Sequence, residues 1–482
     1  MKTLFRLPLF GIVLLFSLAC EPNDDNAVPK DLKINDFVWK GMNLYYLWQE
    51  DVNNLFDDRF SNQDELNDFL AGYNNPINLF QDLRVAPSID RFSVIFSDYR
   101  ALEGVLSGTT DNNGVDFGLR YLNGSTTDIF GWVRYILPNS DASEKNVHRG
   151  DIFYAINGTP LTINNYQSLL ANQTYTLNFA DYNNGSIVPN GESVTLTKTP
   201  YSENPVYITN VVSTGSHTIG YLMYNGFYPN FETQLNVAIA QLQAQNITDL
   251  VLDLRYNSGG SIGTATRLAS MITGQFIGQL FAKEQWNDKA QDYLEENNPT
   301  DLLNFFTAQI SNGTAINNLN LSRIYVLTSK STASASELVI NGLAPYIDVV
   351  QIGDATIGKN VGSITLYDSV DFKKEGSNPS HNYAMQPIVL KIVNSEGFGD
   401  YPAGLPADYL LLEDLGNLAV LGSDTEPLFN EAINQITASG RKIQSPLRTF
   451  QHFKDSKSLR NLQNQMYKDQ VPSGISDMLK NK

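Results

Sequence analysis

Three short stretches of this 482-residue chain combine residue types that could make and break acyl bonds. In the first, the strand-like run Leu250-Val251-Leu252-Asp253-Leu254-Arg255 leads into Tyr256-Asn257-Ser258-Gly259-Gly260-Ser261. Paired glycines past a strand let the backbone approach a ligand and aim N–H groups at an anion, although Gly-Gly after a strand is usually a plain turn. In the second, the strand-like Ile324-Tyr325-Val326-Leu327-Thr328 precedes Ser331-Thr332-Ala333-Ser334-Ala335-Ser336-Glu337. Small hydroxyl residues between a strand and a helix put a nucleophile at a helix N-terminus, where dipole and free N–H groups favour a developing negative charge. The competing reading is structural, because Ser334 with Glu337 three residues on is a capping box. In the third, Thr356-Ile357-Gly358-Lys359-Asn360-Val361-Gly362-Ser363 sets one lysine among small and apolar neighbours. A lysine half neutral at pH 7 needs a shift of ~3.4 units, or ~4.6 kcal/mol, within the ~3–5 units that full burial supplies. A neutral Lys359 could take the proton of a serine hydroxyl; a lysine that merely snorkels its ammonium to water is the alternative.

In combination and in this order, the three stretches resemble the hallmarks of the C-terminal processing peptidases, the tail-specific proteases of peptidase family S41. These carry an L-D-L-R-x-N-x-G-G segment, then T-A-S-A-S-E, then G-K, and work through a Ser–Lys dyad. The family nucleophile is the first serine of S-A-S-E, with its lysine 25 residues on, the separation of Ser334 from Lys359. The resemblance thus implies Ser334, rather than Ser331 or Ser336, as nucleophile and Lys359 as general base. It implies an oxyanion hole made by the N–H of Ala335 and one from Gly259 or Gly260. Ser363 stands where many members carry a glutamine that orients the lysine, and inherits that role. Ala344-Pro345-Tyr346 fills a region where an acidic residue is common, and residues 272–318 read as an insertion beside the site. No metal or organic cofactor is implied.

The elements that must position these residues fall into separate regions. Residues 32–102 read as helical, with Phe37, Leu44, Tyr45 and Trp48 at helix-like spacing and a capping segment at Ser61-Asn62-Gln63-Asp64-Glu65. Short β-like runs follow, with Asn-Gly turns at Asn123-Gly124, Asn157-Gly158 and Asn184-Gly185. Within them, residues 149–161 resemble the late strand-and-turn segment of a PDZ module. Val115-Asp116-Phe117-Gly118-Leu119 sits at its carboxylate-binding loop, which implies peptide contacts at Phe117, Gly118 and Leu119. From about Tyr207, apolar runs alternate with helical stretches as in α/β layers. His217-Thr218-Ile219-Gly220-Tyr221-Leu222 resembles the strand that opens the family's catalytic domain, and residues 422–428 the segment before its closing helix. The expected architecture is therefore multidomain α/β: a helical N-terminal domain (32–102), a β-rich PDZ-like domain (103–204) and an α/β, ClpP/crotonase-like serine peptidase core (205–440). Residues 441–482, with nine Lys/Arg against three Asp/Glu, read as a solvated basic tail.

Composition narrows the function classes. With 33 Lys+Arg against 51 Asp+Glu the net charge is −18, which argues against a nucleic-acid partner. One cysteine excludes disulfides within the chain and a Cys-based zinc site, and the four histidines, His148, His217, His381 and His452, show no metal or triad spacing. Lys2 and Arg6 precede an apolar run at residues 7–19, which ends at Ser17-Leu18-Ala19-Cys20 before an acidic stretch. This is a signal-peptide pattern, and the placement of the only cysteine resembles a bacterial lipobox. The expectation is a signal peptide at 1–19, lipidation at Cys20, a polar tether at 20–31 and attachment to the cell envelope at the outer membrane, facing the periplasm or the cell surface. The function expected is a serine endopeptidase acting on protein or peptide substrates with free C-termini. A ligand-binding lipoprotein on the same fold, and a PDZ-based scaffold with a vestigial peptidase, are the readings from other classes.

Overall fold

The computed structural model describes residues 28–438, 450–459 and 466–481; the signal-peptide and Cys20 expectations lie outside them. The first region is helical as expected: α1 (Lys33–Tyr45), α2 (Gln63–Ala71) and α3 (Pro76–Asp82). The stripe of α1 is core, with Phe37, Val38, Met42, Leu44 and Tyr45 buried against α2, α3 and the later α/β layers. Its capping segment also forms, since Asn62 Oδ1 accepts from Glu65 N and Ser61 N donates to Glu65 Oε2. Beyond α3 the chain makes a tight turn in which Asp90 Oδ1 accepts from the N–H groups of Phe92 and Ser93 while Tyr46 Oη donates to Oδ2.

The β-rich domain is an antiparallel meander of β1 (Val115–Tyr121), β2 (Ile129–Ile136), β3 (Ile152–Ile156), β4 (Thr174–Asn183) and β5 (Ser186–Thr197), with helix α4 (Tyr166–Ala171) packed on it. Two expected Asn-Gly turns show why that pair is needed: φ is positive at both residues, 50° and 77° at Asn157-Gly158 and 46° and 92° at Asn184-Gly185.

The α/β region beyond residue 205 has two sheets. The first runs β6 (Val206–Thr214), β7 (His217–Tyr224), β8 (Asp249–Asp253), β12 (Arg323–Thr328), β13 (Asp348–Gly353) and β16 (Tyr409–Leu410), parallel from β7 onward. Its central strands are buried on both faces, so their sequences are continuously apolar rather than alternating. The second sheet contains β9 (Gly260–Ser261), β10 (Leu280–Trp286), β11 (Leu303–Phe305), β14 (Val361–Ser363) and β15 (Ile388–Asn394). Helix α7 (Ala335–Leu343) is buried on every side, which accounts for its nearly uninterrupted apolar and small composition. Residues 272–318 supply the end of helix α6 (Ile262–Thr273), β10 and β11, and so are part of this second sheet.

One expectation is overturned. The described parts of the C-terminal segment, residues 450–459 and 466–481, are not a solvated appendage. The segment's strand β17 (His452–Asp455) adds to the edge of β1, and β18 (Met466–Tyr467) lies between β9 and β14. Two of its basic side chains are used internally: Lys457 donates to the carbonyls of Asn225 and Tyr256, and Lys468 pairs with Glu284. Counting charges could not reveal this, because each lysine finds a partner far away in sequence.

Candidate active site

Strands β8 and β12 end side by side, so the loops that leave them meet. Thr332 Oγ1 donates to Leu254 O, and Asn257 O accepts from both Ala333 N and Ser336 Oγ. Ile357 N donates to Thr332 O, which brings in the loop ahead of β14. Where that knot tightens, Ser334 adopts φ 60° and ψ −116°, a strained conformation for a non-glycine residue at the entry to α7. Neighbouring serines have structural duties: Ser331 Oγ lies between Arg134 and Asp455, and Ser336 Oγ is committed to Asn257 O.

Glu337 joins the serine to the lysine. Its Oε2 accepts from Ser334 N at 2.7 Å and from Lys359 N at 2.9 Å, while Oε1 accepts from Gly358 N at 2.6 Å and Thr356 Oγ1 at 2.5 Å. The expected capping interaction is present and also anchors the lysine's strand. Burial pushes the Glu337 carboxyl up, against the pull of these four donors. Lys359 is wholly buried and does not snorkel. Burial lowers its ammonium to about 7, against the opposing charges of Asp90 and Glu337. Its Nζ stands 4.3 Å from the ring centroid of Phe92, in the turn that follows Asp90. The helical domain thus walls the lysine's pocket, a role without any signal in the sequence. Gly358 has φ 91°, and a Cβ there would meet Pro402 O and Gly404 N, so the residue before the lysine must be glycine.

Ala335 is the first residue of α7, where the N–H points out of the helical ladder. The two glycines of the other loop differ. Gly259 N already donates to Asn257 Oδ1 at 2.9 Å, which removes it as an oxyanion donor in this arrangement. Gly260 (φ 142°) passes so close to the Phe227 backbone that a Cβ would collide with it. Ser363 is buried in β14; its hydroxyl donates to Met466 O at 3.2 Å and accepts from Gln386 Nε2 at 3.0 Å. Gln386 thereby sets an amide against the Ser363 hydroxyl.

The β-rich domain reaches the same loops. Arg149 donates to Tyr256 Oη and pairs with Glu413, and Arg134 lies over the Tyr256 ring at 4.7 Å while donating to Ser331 Oγ. Arg255, the arginine of the L-D-L-R segment, is fully buried between Asp253, Glu426 and Glu413. Burial would raise the Glu413 carboxyl, but Arg255 and Arg149 outweigh it and hold it down at about 2. Phe117, Gly118 and Leu119 lie in β1, with Gly118 and Leu119 opposite Asp455 and Lys454 of β17. His217 and His381 pair with Asp249 and Asp368, the former at the opposite end of its strand from the Ser334 loop. Among the described residues, no group of three or more His, Cys, Asp or Glu is arranged to hold a metal ion.

Residues 218–368 match peptidase family S41 and residues 33–94 match the peptidase S41 N-terminal domain. Residues 218–368 thus carry a domain similar to those of peptidase family S41, preceded at 33–94 by a match to that family's N-terminal domain. The chain is 24% identical over 415 residues to the chloroplastic C-terminal processing peptidase of Tetradesmus obliquus, covering 82% of this chain and 78% of that one. It is 24% identical over 246 residues to the carboxyl-terminal-processing protease of Picosynechococcus, about half of each chain. A solved structure of an S41 protease-family protein from Bacteroides fragilis superposes with a TM-score of 0.64 at 26% identity, over 84% of this chain and 97% of that one.

Proposed function

We propose that this protein is a serine endopeptidase that cleaves protein or peptide substrates near their C-termini through a Ser334–Lys359 dyad. The observation that carries the reading is the fully buried lysine, lowered to about 7, tied through Glu337 to a serine held at a strained helix entry. Ser334 Oγ attacks the scissile carbonyl as neutral Lys359 takes its proton; the ammonium then protonates the leaving amine, and water repeats the cycle on the acyl-enzyme. Ala335 N–H and Gly260 N–H stabilise the oxyanion, and Ser363 supports Lys359. The β-rich domain acts as a PDZ module that binds the extended C-terminal end of the substrate. No cofactor takes part, and Cys20 carries the lipid that holds the protein in the bacterial envelope.

The test compares wild type with Ser334→Ala and Lys359→Ala on an unfolded reporter protein, with fluorophosphonate labelling of Ser334 alongside. Wild type should cleave and label, and both variants should be folded and inactive. Undiminished cleavage by Ser334→Ala would sink the site assignment; a folded wild type that neither cleaves nor labels would favour a binding protein on the peptidase fold.

A further inference from the structure

The outer edge of β1 presents a row of backbone N–H and C=O groups, the kind of edge that an added strand completes. Here β17 completes it. His452 faces Arg120, Lys454 faces Leu119 and Asp455 faces Gly118, and Tyr121 N donates to Gln451 O at 3.0 Å. Phe453 fills the groove between β1 and α4, with its ring 5.2 Å from Tyr121 and 5.3 Å from Tyr166. Strand addition plus one anchored side chain is how such grooves take extended peptides.

The same segment returns at the catalytic cleft. In the proposed mechanism the carbonyl attacked by Ser334 is held by the Gly260 N–H and so lies beside the glycine that opens β9. The strand between β9 and β14 is β18: Met466 pairs with Gly260, Tyr467 with Ser261 and Ser363, and Lys468 N donates to Ser363 O. Ser334 and Lys359 are both fully buried, so a substrate cannot reach them while this arrangement persists. Side chains of the segment also grip the loops around the site: Asp455 accepts from Ser331 Oγ, Lys457 donates to Tyr256 O and Asp469 accepts from Ser261 Oγ.

We propose that residues 450–459 and 466–469 are a tethered stand-in for substrate, docked in both the β1–α4 groove and the β9–β14 slot, and that extended peptides must displace them; the regulatory part rests on the peptidase reading above. A tethered ligand at an effective concentration on the order of 1 mM, with an intrinsic Kd of about 10 μM, weakens a competing peptide about 100-fold.

The experiment uses the full chain with Cys20→Ser, which leaves no thiol, and adds Arg120→Cys and His452→Cys at facing positions to lock the segment reversibly. A second form, Phe453→Ala, removes the side chain anchored between β1 and α4 and releases it. Binding is read with a labelled peptide of residues 450–459 on versions carrying Ser334→Ala, independently of catalysis. The released form should bind about 100-fold more tightly than the reduced form, and the oxidised, locked form more weakly again. Equal affinity in locked, reduced and released forms would overturn the proposal. With Ser334 intact, kcat/KM on the unfolded reporter should be highest in the released form and lowest in the locked form. Active forms with equal rates would overturn the inhibitory role. Binding that changes as expected with no cleavage in any form would uphold the docking and refute the peptidase reading instead.

Discussion

Lys359 offers the sharpest quantitative test, because its titration links stability to activity. Burial lowers the ammonium from 10.5 to about 7, which corresponds to about 5 kcal/mol. Between those two values the unfolded chain holds a proton that the folded protein lacks, so the stability of wild type rises with pH across that window. Below about pH 7 both states are protonated and the full cost of the buried charge is present. Lys359→Met keeps the volume and removes the titration, so it should be the more stable protein at pH 6, by up to about 5 kcal/mol. Its advantage should shrink by about 1.4 kcal/mol for each pH unit above 7. Urea denaturation of both proteins at half-unit steps from pH 6 to 9, followed by near-ultraviolet circular dichroism, measures the gap. In the same buffers wild-type kcat/KM should rise through about pH 7 and level off, since only neutral Lys359 can accept the serine proton. A stability gap that stays constant from pH 6 to 9, or a rate that first rises near ~10.4 as for an ordinary lysine, would refute the argument.

Three further outcomes follow from the geometry. Glu337→Gln replaces one of the two acceptor oxygens facing four donors with an N–H₂ group; we expect a loss of about 2–4 kcal/mol in chemical denaturation and a fall in kcat of about 10- to 100-fold. Asp90→Asn keeps the shape of its turn but removes a negative charge that favours the lysine's ammonium, so the acid limb of the rate profile should move down by about 0.5–1 pH unit; an upward move would contradict the assignment. Arg255→Met leaves Asp253 and Glu426 buried without their cation, and should cost about 3–5 kcal/mol, visible as a lowered melting temperature that Asp253→Asn/Glu426→Gln partly restores.

What the sequence made legible was local. The aromatic stripe of α1, the capping segment of α2 and the Asn-Gly turns each depend on residues a few positions apart, and each appears in the structure. The loops after β8 and β12 were legible too, because their glycines and small hydroxyl residues answer to tight backbone approaches that few other residues tolerate. What stayed hidden depends on distance in the chain. Nothing about Asp90-Arg91-Phe92-Ser93 announces that Phe92 will cover a lysine more than 260 positions later. Likewise Gln386 reaches Ser363, and Met466 completes that contact, only because two strands pair in a particular register. The basic composition of the C-terminal segment even pointed the wrong way, since charge suggests solvent until partners such as Glu284 are known.

The loop from Leu254 to Gly260 explains how distant parts of the chain can bear on one reaction. In the proposed mechanism its backbone delivers the Gly260 N–H to the oxyanion, yet a glycine has no side chain of its own to pack and fix it. Rigidity is supplied from outside: Arg255 anchors the loop to the core through Glu426, Arg149 fixes Tyr256 from the β-rich domain, and Lys457 holds Tyr256 O from the C-terminal segment. Asn257 then passes that constraint on, with one side-chain atom on Tyr224 O and the other on Gly259 N. Because the charged anchors are buried, loss of any one leaves its partners without compensation, so the loop has few intermediate states to occupy. A change in the β1–α4 groove that moves Asp455 and Lys457 is therefore felt by the nucleophile loop through Ser331 and by the glycine loop through Tyr256, and neither signal has to travel through the hydrophobic core.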